Sequence, residues 1–188
     1  NISKKAVLLS RLTSAQSTLC LNDVSVVRFE RNKLLNSAFG NSLKDSFKIF
    51  QKDHAIDTMF VGASGFHDAY LNNFGYIHKR EIKINKKNGN LFGVDELIRK
   101  KENTNIKFNI FFHLYPRINA VKTIGGNSIL IQINKNKSLI FSSREHQLSI
   151  EKSIFLGGNK ILNNLCITIS GKLSNKNKVI NWELKKNI

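Results

Sequence analysis

The chain is 188 residues long, 41% hydrophobic and 23% charged, and its 30 Lys and Arg against 13 Asp and Glu give a net charge of +17. That length suits one domain with a core of one or two layers, and apolar runs such as "FNIFFHLY" fall far short of the roughly 20 residues needed to cross a bilayer. The charge selects polyanions as a partner class, whether nucleic acid, anionic lipid headgroups or acidic polysaccharide, although Lys- and Asn-rich stretches such as "KINKKNGN" and "LSNKNKVIN" are equally what translation of an AT-rich genome produces.

From the start, "NISKKAVLLSRLTS" holds only a four-residue apolar run, Ala6 to Leu9, too short for the core of a secretion signal. Asn1 is not a natural initiator, so an internal start within a longer gene product is expected. "STLCLND" alternates, with Leu19 and Leu21 on one face. Residues 42 to 58 carry Leu43, Phe47 and Phe50 at helix-like spacing and also suit a strand with loops. "IHKREIKIN" and "NLFGVDEL" flank Asn88-Gly89, the pair that a tight hairpin turn requires. In "IKFNIFFHLY", Ile106, Phe108, Ile110, Phe112 and Leu114 fall in phase, and Pro116 ends the strand. Further alternating segments follow, "NAVKTI", "SILIQIN", "SLIFSS", "QLSIEKSIFLG", "NLCITISG" and "KVINWELK", separated by Gly- and Asn-rich turns. This pattern predicts an all-β fold, an antiparallel β-sandwich of roughly ten or more strands with little helix, in a single domain over 1–188.

Period two also distributes the polar groups. In "HDAY", His67 and Asp68 point apart, while Tyr76, His78 and Arg80 share one face of the following strand. If the two strands pair through "LNNFG", a His, a Tyr and an Arg meet on one sheet surface, a set suited to polyanion binding or proton transfer. The plainer alternative, half-buried strand residues tied to neighbouring groups, is favoured. His113 reads as a satisfied sheet residue, and His54 and His146 as solvated surface. Cys20 and Cys166 fit no metal-ligand spacing and permit at most one disulfide. Metal, serine-nucleophile and phosphate-loop signatures are missing from the sequence.

Several stretches together resemble the C-terminal part of the heparinase II/III-like polysaccharide lyases: "SRLTSAQSTLCLND" (10 to 23), "HDAYLNNFGYIHKREIKIN" (67 to 85) with "GNLFGVDEL", "FNIFFHLYPRINA" (108 to 120), "SIFLGG" and "NWEL". The resemblance implies a β-sandwich that follows an upstream α/α-toroid, with an acidic polysaccharide lying between them and cleaved by β-elimination of its uronic-acid units. It places the catalytic groups outside this chain, which is therefore expected to be inactive alone, with no catalytic or metal residues of its own. It implies Arg11 as a substrate contact; the shared sheet surface makes His67, His78 and Arg80 further substrate-binding candidates. A divalent metal in family members is held by a His whose place is taken here by Gln16, so no cofactor is expected in this chain. The resemblance further implies a bacterial periplasm or cell envelope. The rival readings are a noncatalytic carbohydrate-binding or structural β-domain and a basic nucleic-acid-binding module; nucleic acid is disfavoured, because the aromatics alternate into the core and form no stacking platform.

Overall fold

A computed structural model describes residues 9–28, 46–157 and 160–187. Within these residues twelve strands form two antiparallel sheets. The smaller has the order β1 (Leu19–Leu21), β6 (Lys107–His113), β11 (Lys160–Lys172), β10 (Gln147–Gly157). The larger has the order β2 (Ile49–Ile56), β3 (Phe60–His67), β4 (Tyr76–Asn85), β5 (Leu91–Arg99), β12 (Lys178–Asn187), β9 (Lys137–Ser142), β8 (Ser128–Asn134), β7 (Asn119–Lys122). The antiparallel sandwich expected from the alternation is therefore what the chain forms.

Alternation decides which side chains enter the core. Ile106, Phe108 and Ile110, in phase in the sequence, are buried, and they meet Ile167 and Ile169 of β11 on the inner face of the smaller sheet. Opposite them stand Tyr76, Leu97, Ile129, Phe141, Ile180 and Trp182. The β4–β5 hairpin turns where Asn88-Gly89 places it, with Gly89 at φ +71°. Between β3 and β4 the chain leaves the strand after His67 and makes one helical turn, Leu71–Phe74, closed by Gly75 at φ +77°. Of the segment left open between helix and strand, Ile49–Ile56 is the edge strand β2, pairing with β3 across a bulge between Phe50 and Asp53.

The two cysteines are buried and free. Cys20 lies opposite Asn109, which lies opposite Ser170, while Cys166 is displaced along the same strand. Two strand spacings and four residues separate their backbones by roughly 16 Å, beyond the reach of a disulfide.

One packing contact sets a tight limit. Trp182 lies flat over Gly93 of the neighbouring strand, where an added Cβ would stand 2.0 Å from the indole ring. The ring is wedged on its other side against Phe112, centroids 4.7 Å apart, and stacks on Phe141 at 6.2 Å. It has nowhere to retreat. Gly93→Ala is therefore expected to destabilise the domain by about 1–3 kcal/mol through overpacking, read as a lower urea midpoint at unchanged slope.

Candidate functional site

The inner face of the larger sheet carries a buried carboxylate. Asp95 is 0% exposed, and each of its oxygens accepts two hydrogen bonds. Oδ1 accepts from His78 Nε2 at 2.6 Å and Arg80 Nε at 2.8 Å; Oδ2 accepts from Arg80 Nη2 at 3.0 Å and Trp182 Nε1 at 2.8 Å. Register explains the convergence: Arg80 pairs with Asp95 across β4 and β5, and His78 and Trp182 lie one step away on the same face. Burial by itself would raise the carboxyl pKa. The bond from His78 and the Arg80 guanidinium outweigh it and hold the group at about 2, so it is ionised.

The chain of bonds continues to His67. His78 lies directly opposite it across β3 and β4, and His67 Nε2 lies 2.9 Å from His78 Nδ1. The Ala69 N–H donates to His67 Nδ1 at 3.3 Å. One tautomer set satisfies every contact: His67 carries its proton on Nε2 and gives it to His78 Nδ1, and His78 carries its own on Nε2 and gives it to Asp95. A second proton on His67 would have to point at the Ala69 N–H. Burial first, then the facing His78 ring, push the His67 pKa down to about 4.

Sequence reasoning put Tyr76, His78 and Arg80 on one face, to be joined by the preceding strand if the two pair; they do pair, and His67 stands opposite His78. That surface faces inward. His78 is 2% exposed with both ring nitrogens engaged, and the remaining bond of Arg80 runs across the sandwich, from Nη1 to the Ser17 carbonyl at 2.7 Å. Tyr70 makes a parallel tie, its hydroxyl donating to the Leu19 carbonyl at 2.6 Å. These groups thus grip the segment leading into β1. Asp95 and Trp182, the acceptor and fourth donor, were not singled out, although Asp95 occupies the apolar phase of Leu91, Gly93 and Leu97 in "LFGVDEL".

The gripped segment forms one wall of a groove on the outside of the smaller sheet. The groove encloses about 690 Å³, with Ser14, Gln16 and Ser17 on one side and Tyr115, Phe155 and Asn164 on the other. His113 clasps the walls: its Nε2 bonds the Ser14 carbonyl at 3.0 Å and its Nδ1 accepts from Ser153 Oγ at 3.2 Å, while its own N–H donates to Ser17 Oγ at 3.0 Å. It is the satisfied sheet residue that its position implied. Asn164 donates to the Leu114 carbonyl at 2.7 Å, and its Oδ1 has no partner. A second hollow of about 450 Å³ continues past Tyr115 and Phe155, whose rings meet edge-on at 5.4 Å, to Arg117 and Lys160. No Asp or Glu lines either hollow among the described residues. Arg11 is exposed and sits between Ser10 and Leu12, which line the groove. His54 is exposed as expected, whereas His146 is not solvated surface: both its ring nitrogens are buried without a partner, beneath the β9–β10 corner against Phe108.

The family model described as heparinase II/III-like, C-terminal, matches residues 6–183. The chain belongs to this family. Solved structures share its fold: heparan sulfate lyase HepC from Pedobacter heparinus, with a TM-score of 0.74 at 15% identity over 99% of this chain and 26% of that one; a heparinase III gene product, with 0.70 at 11% over 100% and 26%; and heparinase III, with 0.65 at 14% over 98% and 25%. This heparinase II/III-like chain spans about a quarter of the length of each. A comparison with curated protein sequences finds no match.

Gln16 is a neutral amide whose Nε2 donates to the Ser10 carbonyl at 2.8 Å, and no three His, Cys, Asp or Glu side chains converge among the described residues.

The His67 shift sets a pH dependence. An imidazole held near 4 in the folded chain titrates near 6.5 when unfolded. Between those values the unfolded chain binds the extra proton, so stability is full above about 6.5 and falls as pH drops toward 4. Asp95 adds a further loss below its ordinary value of 3.8. The unfolding free energy measured across this range is expected to decline for the parent chain by roughly 1–3 kcal/mol, and to decline less for His67→Gln.

Proposed function

We propose that this chain is the sandwich portion of a polysaccharide lyase that cleaves uronic-acid-containing polysaccharides by β-elimination, and that the groove beside Gln16 forms its wall of the substrate cleft. The observation that carries this reading is the groove itself: two joined hollows with an aromatic pair at their junction, Tyr115 exposed and Phe155 half-buried, Arg117 and Lys160 at one end, Arg11 bordering the other, and no carboxylate among the described lining residues. Sugar rings offer apolar faces to Tyr115 and Phe155, and uronate or sulfate groups offer the guanidinium and ammonium groups charge-assisted bonds. The family membership and the lyases that share the fold point to the same ligand class.

Elimination requires that the uronate carboxylate be neutralised, that a base take the proton α to it, and that an acid assist the departing sugar. The described residues supply the first kind of group, fixed positive charge. His113 is not the base, since both its ring nitrogens are engaged by Ser14 and Ser153. The remaining groups then belong to an upstream toroid. The cleft contact assigned to this chain is Arg11, while His67, His78 and Arg80 act from behind by holding the groove wall. A periplasmic or cell-envelope setting in a bacterium suits such a substrate.

A noncatalytic carbohydrate-binding role would use the same groove, and activity separates the two. The longer protein is expected to release unsaturated product from heparan sulfate, followed by ultraviolet absorbance, while this chain alone binds the polymer without cleaving it. Lys160→Glu and Arg117→Glu are each expected to weaken that binding on the order of tenfold, as loss of one charge-assisted contact does. Binding without product from the longer protein would favour the noncatalytic role. Equal affinity for DNA of similar charge density, unaffected by either substitution, would contradict both readings.

A further inference from the structure

The opposite side of the sandwich, the outer face of the larger sheet, carries a second surface with the chemistry of a sugar site. An antiparallel sheet face that no other described residues cover ordinarily presents polar side chains. This one presents two aromatic pairs among the described residues. Phe50 and Phe66 stack across β2 and β3 with centroids 5.7 Å apart and planes inclined by 22°. Phe60 and Phe92 meet edge-on at 6.3 Å. Phe60 and Phe66 lie on the same face of β3, six residues and hence about 20 Å apart.

Between the pairs runs a trough of about 320 Å³, made by small residues on the same face, Ala55, Gly62 and Ser64, and walled by Asp53, Lys79, Glu81 and Lys83. Gly62 is obligatory there, since a Cβ would stand 2.7 Å from the Ile82 carbonyl oxygen. Lys79 lies 5.4 Å over the Phe66 ring, and both Lys79 and Lys83 pair with Glu81. Phe92 also opens onto a hollow of about 210 Å³ whose rim holds Arg144, Asn181 and Glu183. Aromatic rings, hydrogen-bond donors and acceptors therefore alternate along one track across the sheet. The trough is balanced in charge, with two lysines against Asp53 and Glu81. A polyanion is poorly matched to that balance, whereas a pyranose has one apolar face for a ring and a rim of hydroxyls for mixed donors and acceptors.

We propose that this outer face is a second carbohydrate site, separate from the groove, that holds a stretch of polysaccharide by ring stacking and hydroxyl recognition instead of by charge. It shares with the reading above only the ligand class, and it stands or falls on different residues. In such a site Phe66 and Phe92 stack on sugar rings, and Lys79, Glu81 and Asp53 address the hydroxyls between them.

Calorimetric titration of the chain with heparan sulfate oligosaccharides and, separately, neutral β-glucan oligosaccharides tests this at physiological and at high ionic strength. Groove binding through Arg117 and Lys160 fades with salt, and stacking persists. The expected result is salt-resistant binding of at least one of the two sugars, weakened at least about fivefold by Phe66→Ala with Phe92→Ala and unaffected by Lys160→Glu. Which sugar binds tells a neutral chain from an acidic one. Ala55→Trp fills the trough from an exposed edge position, and its loss of binding decides the matter if the double variant fails to fold. The proposal is overturned if neither sugar shows salt-resistant binding, or if the folded variants bind as the parent does. It is equally overturned if the chain doubles its mass in solution and the same substitutions abolish the doubling, which would assign the face to a second copy.

Discussion

A full negative charge at Asp95, out of contact with water, is the constraint around which this sandwich is arranged. Moving a carboxylate from water into a protein interior costs several kcal/mol even after relaxation, and only a complete set of donors offsets it. The chain supplies four, from three side chains on two other strands. Each donor is thereby fixed in turn: the guanidinium by its two-pronged bond, His78 in one tautomer, and Trp182 in an orientation that requires Gly93 beneath it. Removing one partner of such a set leaves a charge uncompensated, which is far costlier than losing a surface ion pair.

The consequence reaches the opposite sheet. Arg80 spends its bidentate edge on Asp95 and its remaining nitrogen on the Ser17 carbonyl, and Tyr70 takes the Leu19 carbonyl nearby. A strand as short as β1, three residues at the edge of its sheet, has few ladder bonds of its own. Its approach is held by side chains from β4 and from the turn before it, and by His113 from the outer side. The groove wall thus inherits its position from a buried charge on the far sheet. The histidines and arginine of "HDAYLNNFGYIHKREI" are part of that support, and this accounts for their density in so short a stretch.

Much of this was legible in the sequence, because a two-residue period is a direct physical statement about faces. It placed Tyr76, His78 and Arg80 together and sorted the "FNIFFHLY" strand into core and surface correctly. It could not say that the face bearing His78 turns inward, since polar residues on a strand ordinarily signal solvent. The clue lay in Asp95, a carboxylate in phase with Leu91 and Leu97, which makes sense only with donors opposite. Trp182 carried no local signal: it reaches Asp95 from 87 residues away. His146 was misjudged for a related reason, since its polar neighbours Arg144 and Glu145 are exposed while the corner of the chain folds its own ring under. The groove was invisible beforehand, because Gln16, His113, Ser153 and Asn164 meet only through the sheet register.

The tether from buried charge to groove wall is tested most directly by hydrogen exchange on Arg80→Lys, which retains a cation beside Asp95 but lacks the second arm that reaches Ser17. Faster exchange is expected at the amides of residues 15 to 18 and at His113, whose N–H bonds Ser17 Oγ, with β8 and β9 protected as in the parent. Unchanged exchange in that segment, or acceleration spread evenly over both sheets, would contradict the tether.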